Sequence, residues 1–135
     1  MSRKQKIMKS VCQEIRKQIE ADLIYVTNPA NVRRISGFTG EGYLLITASD
    51  CILVTDSRYT IVARKQCPDW EVVDMKGDRL ASLQRIVEDG KFHALAYEDK
   101  DLSCFAFSQC RQAVESNSGL TFLPLGQKHP HLQQA

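Results

Sequence analysis

The sequence has no apolar run near the roughly 20 residues that span a bilayer, and no apolar segment follows its basic start as a secretory signal requires. Its five cysteines, Cys12, Cys51, Cys67, Cys104 and Cys110, are odd in number, widely spaced and without a C-x-x-C pair. That excludes both a disulfide framework and a zinc knuckle. Net charge is scarce too: the formal value of +2 is too small to argue for a nucleic-acid partner. No repeat or low-complexity stretch occurs. These absences predict a soluble, cytoplasmic chain with neither membrane nor nucleic acid among its partners.

What is present suits one globular domain. A length of 135 residues leaves no room for two independent cores, and at this size roughly two-thirds of the unfolded surface is buried on folding. Ile7, Val11, Ile15 and Ile19 recur at helical spacing with Met8 and Cys12 beside them, predicting a first amphipathic helix over about 2–20. Arg3, Lys4, Lys6, Lys9, Arg16 and Lys17 make one side of it basic, which reads as a solvated helix face.

Beyond that helix, apolar runs and breakers alternate. Leu23 to Val26 reads as a strand, and Asn28 caps a short helix with Pro29 at its first position, stopping at Gly37. Tyr43 to Thr47 and Cys51 to Thr55 are nearly continuous in apolar residues, the pattern of strands covered on both faces. Ser49-Asp50 is the expected two-residue turn between them. Asp56 or Ser57 then caps a helix carrying Ile61, Val62 and Ala63 and ending at Pro68. Trp70 to Val73 is a strand. Asp78 caps a helix with Leu80, Leu83, Ile86 and Val87 inward and Gly90 at its stop. His93 to Tyr97 is a strand, Asp101 opens a helix carrying Leu102, Phe105, Ala106 and Ala113, and Leu120 to Leu123 is a last strand. One hairpin among helix-linked strands predicts a three-layer α/β/α domain with a mixed sheet over residues 1–125. Residues 126–135 are polar and patternless and read as a frayed tail.

The residues that could carry chemistry also have plain structural readings. Gly37, Gly40 and Gly42 suggest a phosphate loop, but this loop follows a helix and opens a strand, the reverse of a nucleotide site. A helix stop and a tight turn explain the glycines, and Phe38 between them could be presented outside the domain. Asp56-Ser57-Arg58-Tyr59 forms a strand-to-helix corner where Asp56 would accept helical N–H groups, while Arg58 and Tyr59 would project from a strand's C-terminal end. Asp56, Asp74 and Glu98 each follow a strand and could converge on a divalent metal as in a ribonuclease H-type nuclease, or simply cap turns. No Ser-His-Asp or Cys-His arrangement can be assembled.

Two segments in order carry a resemblance. Asn31-Val-Arg-Arg-Ile-Ser-Gly-Phe-Thr-Gly40 and Thr55-Asp-Ser-Arg-Tyr59 resemble the N-x-R-Y-L-T/S-G-F-T-G and L-x-T-D-x-R-Y motifs of the creatinase, prolidase and aminopeptidase P N-terminal domain. Arg34 departs from the aromatic or apolar residue usual in the first. The resemblance covers most of the chain and implies a fold of the creatinase N-terminal type, with a ribonuclease H-like motif. It also implies a non-catalytic role as the N-terminal half of an Xaa-Pro aminopeptidase or dipeptidase, shaping the active-site entrance and assisting subunit assembly. In such a parent, two divalent ions (manganese, cobalt or zinc) sit in a separate catalytic domain and the bond preceding proline is hydrolysed. No metal ligand and no catalytic residue is then expected in this chain. Phe38, Thr39, Gly40, Arg58 and Tyr59 are the expected cleft or interface residues. The implied partners are the catalytic domain, a second copy in a homodimer, and proline-containing peptides through the whole enzyme. The chain is expected to be a piece of a longer gene product, the alternative being a stand-alone peptide- or protein-binding module using the Phe38 loop.

Overall fold

The computed structural model describes residues 12–114 and 120–128. In chain order the elements are α1 (12–18 among the described residues), β1 (Leu23–Val26), α2 (Pro29–Ser36), β2 (Gly42–Thr47), β3 (Cys51–Thr55), α3 (Thr60–Gln66), β4 (Glu71–Asp74), α4 (Arg79–Gly90), β5 (Ala94–Tyr97), α5 (Cys104–Val114), β6 (Thr121–Pro124) and α6 (Leu125–Lys128). The part of the first predicted helix before residue 12 lies outside the described residues.

The strands form one six-stranded sheet in the order β4-β3-β2-β1-β5-β6. Only β2 runs against its neighbours; the β3–β4, β1–β5 and β5–β6 pairs are parallel. Alternate residues of the strands feed two separate cores. Ile24, Val26, Leu44, Ile46 and Leu53 pack with Ile15, Val32, Ile35 and Ala63, placing α1, α2 and α3 on one face. Leu23, Tyr25, Tyr43, Leu45 and Val54 pack with Leu83, Val87, Cys110 and Val114, placing α4 and α5 on the other. The expected three-layer α/β/α architecture with a mixed sheet is therefore the one observed.

The caps read from sequence at both ends of α2 and at the start of α4 hold, whereas α4 runs through Gly90 and stops at Lys91 in the left-handed conformation with φ 51°. The Asn28 side chain accepts the Asn31 N–H at 3.1 Å, Pro29 opens the helix, and Gly37 closes it in the left-handed conformation with φ 84°. The Asp78 carboxylate accepts the Ala81 N–H at 3.0 Å.

Several local expectations are corrected. The β2–β3 turn is centred one residue earlier than Ser49-Asp50: the Thr47 N–H donates to the Asp50 carbonyl at 2.9 Å, and the Thr47 hydroxyl accepts the Asp50 N–H at 2.8 Å. A side-chain oxygen that satisfies turn N–H groups sets the register here in place of glycine. Helix α3 begins at Thr60, after Tyr59, with no side-chain cap; Asp56 is used in the preceding turn. Its Ile61 and Val62 are exposed, at 68% and 41%, and Ala63 alone is buried. Helix α5 begins at Cys104, with the Ser103 hydroxyl accepting the Ala106 N–H. That start turns Phe105 to solvent, 72% exposed, and puts Cys110 and Val114 inward. The segment expected as the tail, 126–135, starts within the short helix α6. Leu125, the last residue of the expected domain, is buried in the core, and the Gly126 N–H donates to Asp99 Oδ1 at the start of α6. Residues 129–135 lie outside the described residues.

Candidate functional site

Because β2 alone is reversed, the C-terminal ends of β1, β3, β4, β5 and β6 share one edge of the sheet with the entry to β2. Open α/β sheets place their ligand contacts at this edge. Two groups of residues gather there.

The first group joins the 37–41 loop to the corner after β3. Arg58 lies across Asp56 in a bidentate pair, with Nε 3.1 Å from Oδ1 and a terminal nitrogen 2.8 Å from Oδ2. The Asp56 Oδ1 also accepts the Arg58 N–H at 2.9 Å. The guanidinium beside it holds the Asp56 carboxyl below its ordinary range, and the same pair raises Arg58. Arg58 further approaches Glu41 at 3.7 Å and stands 5.1 Å from the centre of the Tyr59 ring. The Thr39 N–H donates to Gln66 Oε1 at 3.0 Å, and Gln66 Nε2 donates back to the Thr39 hydroxyl at 2.9 Å. The loop is thereby tied to the end of α3. The Thr55 hydroxyl donates to the Glu41 carbonyl from below.

Phe38, expected to be presented outward, is buried to 1% exposure in the core between α2 and α3. Its ring meets Tyr59 edge-on with centroids 6.3 Å apart. The burial of a full aromatic side chain outweighs what a flanking-glycine loop could gain by displaying it. Gly40 is the reason the two rings can meet: a Cβ there would lie 2.6 Å from Phe38 Cζ and 3.0 Å from Tyr59 Cδ1. Of the sequence-expected site residues, Thr39 and Arg58 are exposed, Gly40 and Tyr59 are half-buried, and all stand on this one surface.

The second group surrounds Glu98, which is buried although charged residues rarely are. Its Oε1 accepts the Thr27 and Asn28 N–H groups at 2.7 and 3.0 Å, and its Oε2 accepts the Asn31 side-chain amide at 2.7 Å. Burial pushes the Glu98 carboxyl above its ordinary value, and the Asn28, Asn31 and Thr27 hydrogen bonds pull it back in part. Asp101 extends the cluster by accepting from the Thr27 hydroxyl and the Asn28 amide. Sequence reasoning saw Asn31 only as part of a motif and Glu98 only as a strand-end acid; nothing in their separation signals that they meet.

These groups do not form a metal centre. Asp56 follows β3 and Glu98 follows β5, with β2 and β1 between them. Three strand spacings put them about 14 Å apart. Both Glu98 oxygens are already occupied by N–H donors. Among the described residues no group of His, Cys, Asp and Glu could hold a metal ion, and no helix is long and apolar enough to cross a membrane.

Residues 10–132 match the family model of the creatinase/prolidase N-terminal domain. An uncharacterized peptidase, YqhT, from Bacillus subtilis is 29% identical over 87 residues, covering 64% of this chain and 25% of that protein. The Xaa-Pro dipeptidase from Bacillus anthracis superposes with a TM-score of 0.80 at 25% identity, covering 87% of this chain and 33% of its own. The N-terminal domain of the cytoplasmic peptidase PepQ from Mycobacterium tuberculosis superposes with a TM-score of 0.73 at 26% identity, covering 87% of this chain and 92% of its own. The chain thus spans a quarter to a third of the length of the first two.

Proposed function

The chain belongs to the creatinase/prolidase N-terminal domain family, and on that premise we propose that it is the non-catalytic N-terminal half of an Xaa-Pro aminopeptidase or dipeptidase. Its task is to dock on a catalytic domain, to shape the entrance of that domain's active site, and to support a homodimer. The whole enzyme hydrolyses the bond preceding proline in the cytoplasm, with two divalent ions (manganese, cobalt or zinc) held entirely by the catalytic domain.

One observation carries this reading. The surface formed by Thr39, Gly40, Arg58 and Tyr59 continues onto α3, where Ile61 is 68% exposed and Val62 41%. Exposed apolar side chains beside fixed polar ones suit a protein interface better than open solvent. Phe38 supports that surface from beneath. Its burial also removes the side chain on which a stand-alone binding module would have rested.

The test supplies the chain to a catalytic domain of this class with manganese and follows release of the residue before proline. The chain alone gives no turnover, the pair does, and Ile61→Asp weakens their association while leaving the chain folded. Proline-peptide hydrolysis by this chain alone would overturn the proposal, as would association indifferent to both Ile61→Asp and Arg58→Ala.

A further inference from the structure

The opposite edge of the sheet holds a second arrangement that the peptidase reading does not use. Cys12 on α1 and Cys51 at the head of β3 pack in the same core and line one recess. Arg16, one helical turn after Cys12, reaches over the β2–β3 turn. It donates to the carbonyls of Thr47 and Asp50, the latter at 3.0 Å, and to Cys51 Sγ at 3.4 Å. The two carbonyl contacts hold the guanidinium in place, so its charge stays beside the sulfur. A recess of about 390 Å³ opens at this point, lined by these residues together with Asp50, Asp69, Trp70 and Glu71. Cys12 is buried, whereas Cys51 is only half-buried. The asymmetry gives Cys51 the readier access to a small reagent.

We propose that Cys51 and Cys12 are a hydroperoxide-reactive thiol pair, Cys51 the nucleophile and Cys12 the resolving thiol, whose oxidised form is a disulfide clipping α1 to the β2–β3 hairpin. The thiolate is the reactive form of cysteine, and a neighbouring arginine favours it. The neighbouring Cys12 thiol and the Arg16 charge pull Cys51 below the ordinary thiol value, against burial and the Asp50 carboxylate. In the first step the Cys51 thiolate attacks one peroxide oxygen and the O–O bond breaks. Sulfur is oxidised by two electrons to the sulfenic acid, and the departing hydroxide or alkoxide takes up a proton. In the second step the Cys12 sulfur attacks the Cys51 sulfur, the S–O bond breaks, and the Cys12 proton leaves with the hydroxyl group as water.

The test treats the full chain with hydrogen peroxide under metal-free conditions and maps cysteines by mass spectrometry. Exposed Cys104 serves as an internal reference in the same molecule. Expected is a Cys12–Cys51 disulfide, reversed by dithiothreitol and formed about tenfold faster than Cys104 is oxidised near neutral pH. In Cys12→Ser the reaction stops at a dimedone-trappable sulfenic acid on Cys51. In Cys51→Ser, Cys12 stays reduced. Arg16→Gln slows Cys51 alkylation and moves its pH midpoint upward, while Cys104 alkylation is unchanged, which separates lost activation from lost folding. Oxidation of Cys104 ahead of Cys51, or sulfenic acid that accumulates on Cys51 with Cys12 present, overturns the proposal.

Discussion

Asn31 donates its side-chain amide to Glu98 Oε2 at 2.7 Å, joining α2 to the end of β5 across 67 residues of sequence. With the Thr27 and Asn28 N–H groups on Oε1, the carboxylate exchanges its water for donors fixed by the backbone. The clamp sets where β1 ends and where α2 begins. The 37–41 loop leaves the far end of that helix, so the clamp also sets the position of the candidate surface.

Removing the clamp carries a cost and a pH signature. Glu98→Ala leaves the buried N–H groups of Thr27 and Asn28 without their acceptor and lowers stability by about 2–4 kcal/mol. Since burial raises the Glu98 carboxyl above its ordinary value, the folded chain holds that proton more tightly than the unfolded one. This group's contribution is therefore fully present below the unfolded value, about pH 4.3, and declines as pH rises through the folded value. Urea denaturation across that window should show the stability difference between the wild type and Glu98→Gln shrinking as pH increases. A difference that is flat with pH would contradict the assignment.

Phe38 behaves as a core residue in spite of its glycine-flanked loop. Phe38→Ala removes a ring that is 1% exposed and the edge partner of Tyr59. The expected loss is about 3–5 kcal/mol, seen as a lower denaturation midpoint. A loss below about 1 kcal/mol would place the ring at the surface instead.

The glycines differ in what surrounds them. A Cβ at Gly42 would lie 2.4 Å from the Val54 carbonyl oxygen, a backbone atom in the β2–β3 ladder. At Gly40 the obstruction is the tip of the Phe38 ring. Gly42→Ala should cost about 2–3 kcal/mol and weaken amide-exchange protection along β3, whereas Gly40→Ala should cost about 1–2 kcal/mol and leave that ladder intact. The reverse ranking would show that the ring is the more rigid neighbour.

Arg58 is a surface residue whose value lies in association. Its side chain is 69% exposed in the pair with Asp56, where solvent screens the attraction. Arg58→Ala should leave the denaturation midpoint near that of the wild type at low and high salt, and weaken docking to a catalytic domain. A collapse of the fold would make the pair structural.

The places where sequence reading succeeded were governed by short-range chemistry. The Asn28-Pro29 start and Gly37 stop of α2 and the Asp78 cap of α4 each follow from a backbone need that one or two adjacent residues satisfy. The continuous apolar runs of β2 and β3 reported strands covered on both faces, as Tyr43 to Ile46 in their two cores show. The motif around Gly37 to Gly40 and the Asp56–Tyr59 corner pointed to one family, and their loops do meet through Phe38–Tyr59 and Arg58–Glu41.

By itself, then, the sequence determined the α/β alternation, the N-terminal caps of α2 and α4 and the family, because periodicity and capping act within a turn or two of chain. Only tertiary structure decided which apolar residues are inside. Phe38 is buried since Tyr59 and the α2–α3 core lie over it, while Ile61, Val62 and Phe105 are left outside by helix starts that side-chain periodicity did not locate. It likewise decided that Glu98 meets Asn31 and that Cys12 and Cys51 share one recess, juxtapositions made by strand order and helix placement between residues far apart in the chain.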